Sequence, residues 1–173
     1  MPEYNLKKIT ESLIDTFINA GLKSLTLREK GLTKKMKPDN TPVSNGDLEV
    51  NKIISEKIKN ITPNIPIVSE ETSENKSTKN LKDFWLIDPI DGTYDYINNL
   101  DEFTINAGLI INNLPAAGLI YAPAKKRMFY SYGKNSAFEI SNDKTIKLEC
   151  SNNFDKNEIN FVSYSNNLKP EIE

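Results

Sequence analysis

Phe84-Trp85-Leu86-Ile87-Asp88-Pro89-Ile90-Asp91-Gly92-Thr93 is the stretch that decides the reading of this chain. Four apolar residues with strong strand preference run into Asp88. Pro89 lacks an N–H and ends regular strand pairing there. Asp91 follows three residues after Asp88, with Gly92 directly behind it. Thr93 opens a short polar segment, 94–98, long enough for one or two helical turns. Both carboxylates therefore fall at a strand end, beside a tight turn and a helix start. Carboxylates at such a corner suit a hard cation, and the backbone N–H groups of Gly92 and Thr93 suit an anion bound to it. A solvated turn is the plainer alternative, because Asp and Gly are common in turns.

Working outward toward the N-terminus, Pro63 and Pro66 bracket the entry to a short strand, 65–68, that runs into Ser69-Glu70-Glu71-Thr72. Ser44 stands three residues before Asp47, a capping-box-like helix start with Asp in place of the usual Glu. Val50, Ile53, Ile54 and Ile58 give that helix its buried face. Leu6, Ile9, Leu13, Phe17 and Ile18 recur at helical spacing and predict one amphipathic helix from about residue 5 into the 22–28 region. Residues 31–41 and the Ser-, Lys- and Asn-rich stretch 72–83 read as loops, the second of them mobile.

Toward the C-terminus, Phe103, Ile105, Ala107 and Leu109 alternate with Thr104, Asn106 and Gly108, the pattern of a half-buried strand. Asn112-Asn113 turns into a strand over 114–121. Further strands follow over 128–132, 137–140 and 146–148, and 159–163 is a last strand-like run. Short turns between successive strands predict an antiparallel meander. The expected fold class is α+β: two N-terminal helices on a largely antiparallel sheet.

The chain has 173 residues, with 22 Lys plus Arg against 24 Asp plus Glu. That balance predicts no general attraction to nucleic acid or an anionic membrane. Neither a signal peptide nor a membrane anchor is read, and the single cysteine, Cys150, makes a cytoplasmic setting the simplest expectation. There is no histidine, which excludes Ser-His-Asp catalysis, histidine-ligated zinc and imidazole bases. Enzymatic chemistry here would use carboxylates, hydroxyls, lysines and an oxygen-liganded metal.

Asp47, then Glu70-Glu71, then Asp88-Pro89-Ile90-Asp91-Gly92-Thr93 resembles, in order, the signature of the lithium-sensitive, magnesium-dependent phosphatase superfamily. That superfamily includes inositol monophosphatases, fructose-1,6-bisphosphatases and bisphosphate nucleotidases. Pro66-Ile67-Val68-Ser69-Glu70-Glu71, Glu102-Phe103-Thr104-Ile105-Asn106 and Tyr121-Ala122-Pro123 most resemble the CysQ-type 3′(2′),5′-bisphosphate nucleotidases. The family's later Trp-Asp-x-x-Ala-Gly motif has no match, since Trp85 is the only tryptophan. The chain thus resembles the N-terminal two-thirds of such an enzyme. Residues 1–150 would be a metal- and phosphate-binding domain, and 151–173 the start of a truncated C-terminal α/β part.

The resemblance implies Mg²⁺ as cofactor and a small phosphomonoester, 3′-phosphoadenosine 5′-phosphate, as substrate. It implies one ion on Glu70, Asp88 and the Ile90 carbonyl, and a second on Asp88 and Asp91. Asp47, Glu70 and Thr93 would be catalytic, with Thr93 and Asp47 orienting or deprotonating the attacking water. Asp91, Gly92 and Thr93 would bind substrate. Inositol monophosphatase activity and a catalytically inactive fragment are the alternatives. Truncation would leave apolar sheet surface bare, open to a homo-oligomer or to a complementing C-terminal chain.

Overall fold

Asn5 starts α1 (Leu6–Glu11) by accepting the Lys8 N–H on its side-chain oxygen at 3.0 Å. The single helix predicted from about residue 5 into the 22–28 region is broken. α2 occupies Ile14–Lys30, and at the break the Ser12 hydroxyl donates to the Ile9 carbonyl at 2.8 Å. Leu6 and Ile9 of α1 pack against the same core as the fully buried Leu13 and Phe17, so core packing is kept across the break. The structure, a computed structural model, describes residues 4–38, 40–72 and 81–150. Most of the expected 72–83 loop, the strand-like 159–163 run and the whole 151–173 segment lie outside those residues.

The expected 31–41 loop contains β1 (Lys34–Met36), antiparallel to β2 (Pro42–Ser44). All three residues of β1 are exposed, so no apolar alternation marks the strand in the sequence. β2 leads directly into α3 (Asn45–Ile61), where the capping box forms: Ser44 accepts the Gly46 N–H, and the Asp47 carboxylate accepts the Ser44 N–H. Val50, Ile54 and Ile58 are wholly buried on the inner face of α3.

Among the described residues, seven strands form the main sheet, in chain order: β3 (Ile67–Ser69), β4 (Phe84–Asp91), β5 (Thr104–Ile111), β6 (Leu114–Ala122), β7 (Arg127–Tyr132), β8 (Ala137–Ser141) and β9 (Lys144–Lys147). Of these, only β3 and β4 pair parallel; every later pair is antiparallel. β3 begins two residues later than expected, because the Ile65 N–H is taken by the Thr62 carbonyl in a turn at 3.1 Å. Asn112 and Asn113 have φ of 53° and 62°, and Asn142 and Asp143 have 50° and 59°. Two successive positive φ values match the right-handed twist of a tight hairpin, and Asn tolerates them best after Gly.

Trp85, Ile87, Ile105, Leu109, Leu119 and Met128 point from the sheet into one core with Leu13, Phe17, Val50, Ile54 and Ile58 of the helices. The alternate positions of β4 to β7 point the other way. There Leu86 is 51 % exposed and Ile120 48 %. Gly108 and Gly118 face each other on that side, and Leu86 and Ser131 flank them in the same row. Among the described residues no helix is long and apolar enough to cross a membrane.

Candidate active site

Parallel pairing puts Glu70 beside Asp88. Ser69 is in register with Ile87, and the Glu70 N–H donates to the Ile87 carbonyl at 3.1 Å. On its other side Asp88 is opposite Asn106 of β5. The next register pair is Asp91 with Thr104, so Pro89 and Ile90 together oppose the single residue Ile105. Pairing therefore does not end at Pro89 as expected but continues to Asp91: the two-against-one count is a β-bulge, and Pro89 has no N–H to lose there. In an unbroken strand, residues three apart point to opposite faces. The bulge re-aims Asp91, whose Oδ2 accepts the Asn106 Nδ2–H at 3.1 Å.

Gly92 follows with φ of 89° and opens α4 (Thr93–Ile97). A Cβ at Gly92 would stand 2.8 Å from the Glu102 carbonyl, so Gly is required by sterics as well as by φ. The Thr93 hydroxyl lies 3.2 Å from Asp47 Oδ1 and 2.9 Å from the Ile90 carbonyl. It has one proton, so it donates to one of these acceptors at a time. Asp47 is 1 % exposed. Its Oδ2 accepts the Ser44 N–H at 2.8 Å and the Ser44 hydroxyl at 2.6 Å. Capping and the Thr93 contact thus use different oxygens of one carboxylate. Tyr96 presses α4 onto the start of α3: its phenol donates to the Ser24 carbonyl at 2.7 Å, and its ring fills the place a Cβ on Gly46 would take.

Burial pushes the Asp88 carboxyl up to about 7, and the neighbouring charges of Glu70 and Asp91 push in the same direction. Asp88 Oδ1 is buried with no hydrogen-bond partner. Lys37, in the β1–β2 connection, donates from Nζ to Glu70 Oε1 and Glu71 Oε1, both at 2.7 Å. Burial works to lower the Lys37 pKa, but the two carboxylate bonds outweigh it and hold the ammonium above its ordinary value. Burial raises Glu71 despite the ammonium, since its side chain is only 5 % exposed.

Two further side chains touch this cluster, Lys37 and Asn106. A single lysine in a polar loop carries no sequence signal, and Asn106 has only the pattern of the outward member of an alternating strand. Of the expected residues, Glu70, Asp88 and Asp91 fall on adjoining ends of β3 and β4, and Thr93, Asp47 and the Ile90 carbonyl meet beside them. Carboxylates, one of them with an orphaned buried oxygen, fit a hard cation by donor type. Among the described residues, no group of three or more acidic, His or Cys side chains closes into a metal-holding arrangement.

Fold and site define an α+β protein with an oxygen-donor, acid-rich site at the end of two parallel strands, served by a part-buried hydroxyl–carboxylate pair. The inositol monophosphatase family model matches residues 4–171, and the chain belongs to that family. The 3′(2′),5′-bisphosphate nucleotidase CysQ of Haemophilus influenzae is 36 % identical over 131 residues, covering 74 % of this chain and 49 % of that protein. The crystal structure of CysQ from Bacteroides thetaiotaomicron matches with a TM-score of 0.64 and 30 % identity, over 80 % of this chain and 50 % of that one. An inositol monophosphatase of Thermotoga maritima matches with a TM-score of 0.68 and 25 % identity, over 81 % and 52 %. The chain spans about half the length of the curated relatives it matches.

Proposed function

We propose that this chain supplies the acidic part of a Mg²⁺-dependent phosphomonoesterase site for bisphosphate nucleotides, releasing the 3′-phosphate of 3′-phosphoadenosine 5′-phosphate to give AMP. The observation that carries the reading is the Thr93–Asp47 contact, set beside Glu70, Asp88 and Asp91 on one sheet edge. The bisphosphate-nucleotide class comes from the names of the curated relatives. A single exposed cysteine agrees with a reducing, cytoplasmic setting.

The reaction joins a water oxygen to phosphorus and breaks the bond to the nucleoside oxygen. The attacking water gives up a proton, and the leaving oxygen takes one. Thr93 orients that water through its hydroxyl oxygen, and Asp47 draws the proton along the hydroxyl to its Oδ1. Glu70, Asp88, Asp91 and the Ile90 carbonyl would hold the cation. When bound, Mg²⁺ neutralises charge on the phosphoryl and leaving oxygens. The N–H groups of Gly92 and Thr93 hold phosphate oxygens, a use to which a tight turn with positive φ is suited.

The test measures phosphate release from 3′-phosphoadenosine 5′-phosphate and from inositol 1-phosphate. It uses the chain alone and the chain mixed with the second half of the Haemophilus influenzae relative. Mg²⁺-dependent release that favours the nucleotide and disappears in Asp88→Asn is the expected result. A folded chain that releases phosphate from neither substrate, alone or mixed, would overturn the reading.

A further inference from the structure

We infer that Asn106 is a positioning residue of this site. Its Nδ2 fixes the Asp91 carboxylate, and its buried, unpartnered Oδ1 would accept hydrogen bonds from water held by a bound cation. The inference rests on the cation reading above and adds a residue to it.

Asn106 sits in the third position of β5, directly across from Asp88 on one side and Ile120 on the other. Asn is a poor strand former, and an apolar residue would suit that ladder better. Its amide has a fixed sense. Nδ2 donates to Asp91 Oδ2 at 3.1 Å, and a reversed amide would set Oδ1 against a carboxylate oxygen. Oδ1 is thereby left buried without a partner. Asp88 Oδ1, on the same rung of the sheet, is also buried without a partner. Unpaired buried acceptors are uncommon and costly, so each needs an explanation. Two on one rung, beside an exposed carboxylate held by the same amide, have a common one: a positively charged or proton-donating guest. A neutral amide oxygen beside these carboxylates would accept from waters kept by a bound Mg²⁺, without adding a further negative charge.

A purely structural Asn106 would instead tie β5 to the bulge of β4. Mn²⁺ affinity separates the two roles. The test titrates MnCl₂ by calorimetry into the wild-type chain, Asn106→Val and Asp91→Asn, and takes melting temperatures in chelator. Asn106→Val is expected to weaken Mn²⁺ binding by about 10–100-fold, the usual effect of losing a partner of a metal ligand. Its metal-free melting temperature should be unchanged or higher, since Val suits a strand and removes an unpaired acceptor. Unchanged Mn²⁺ affinity in Asn106→Val, with binding lost in Asp91→Asn, would overturn this inference alone. Unchanged affinity in Asp91→Asn would overturn the cation reading itself. If Asn106→Val fails to fold, Asn106→Ala carries the same comparison.

Discussion

Asp47 serves two partners with two oxygens, and that division can be measured. Asp47→Asn keeps one carbonyl oxygen for the Ser44 N–H, so stability should fall by less than about 1 kcal/mol, whereas Asp47→Ala should cost about 0.5–2 kcal/mol. Turnover in a complemented, active preparation should drop by ~10²–10⁴-fold in both, the usual contribution of a positioned acid–base group. Thr93→Ala should lower it similarly, and the double variant should lose little more, because the pair acts as a unit. Denaturant titration and initial rates on the same samples check these outcomes. Asp88 makes a second prediction. Its folded pKa stands near 7, above the ordinary carboxylate value, chiefly through burial and then through Glu70 and Asp91. A raised folded pKa means that the folded chain binds the proton more tightly than the unfolded one. The stabilisation is complete below the unfolded pKa and is lost as pH rises through about 7. In chelator, the melting temperature of the wild type relative to Asp88→Asn should therefore fall between about pH 4 and pH 7. A pH-independent difference would mean that Asp88 titrates normally. Carboxylates in a tight motif were legible from sequence because their order along the chain is specific. Lys37 and Asn106 were not, because each becomes informative only through a neighbour distant in sequence.

Among the elements, the bulge in β4 and the short α4 determine where the reactive groups point. Gly46 is the contact that lets α4 settle, since any Cβ there meets the Tyr96 ring. Gly46→Ala should displace Tyr96, lengthen the Thr93–Asp47 contact and lower turnover more than it lowers helix stability. Proton resonances of the Tyr96 ring report the displacement, and an unmoved ring with normal turnover would contradict the argument. Lys37 ties the β1–β2 hairpin to Glu70 and Glu71. Lys37→Met leaves the mostly buried Glu71 without its cation and should cost about 1–3 kcal/mol in chelator, read from denaturant midpoints. Alternation revealed the meander, and the Ser44/Asp47 pair revealed the start of α3, because both are local patterns. The break after Glu11 was hidden, since the apolar spacing continues across it. β1 was hidden because it is exposed throughout, and the β3–β4 parallel pairing because it joins strands separated by a long polar stretch.

At the scale of the whole molecule, one face of the sheet is packed by helices and the other carries Leu86, Ile120 and the Gly108–Gly118 pair. Neither glycine has a positive φ, and a Cβ on Gly108 would meet nothing within 4 Å. Nothing within the described residues therefore requires glycine there, although glycine weakens a strand interior. Close approach of another backbone to this face would account for both. Gly118→Trp should leave the metal-free melting temperature nearly unchanged while abolishing association with the second half of the Haemophilus influenzae relative, measured by sedimentation. Retained association would show that this face is not the one covered.

Trp85 is fully buried, its indole N–H donates to the Thr62 hydroxyl at 3.0 Å, and it lies three residues before Asp88 on the same strand. It is also the chain's sole tryptophan. One fluorophore therefore bridges the strand that carries the acids and the end of α3, with no background from another indole. Its emission colour reports directly whether that strand is seated, so the chain carries its own optical gauge of the state of the site.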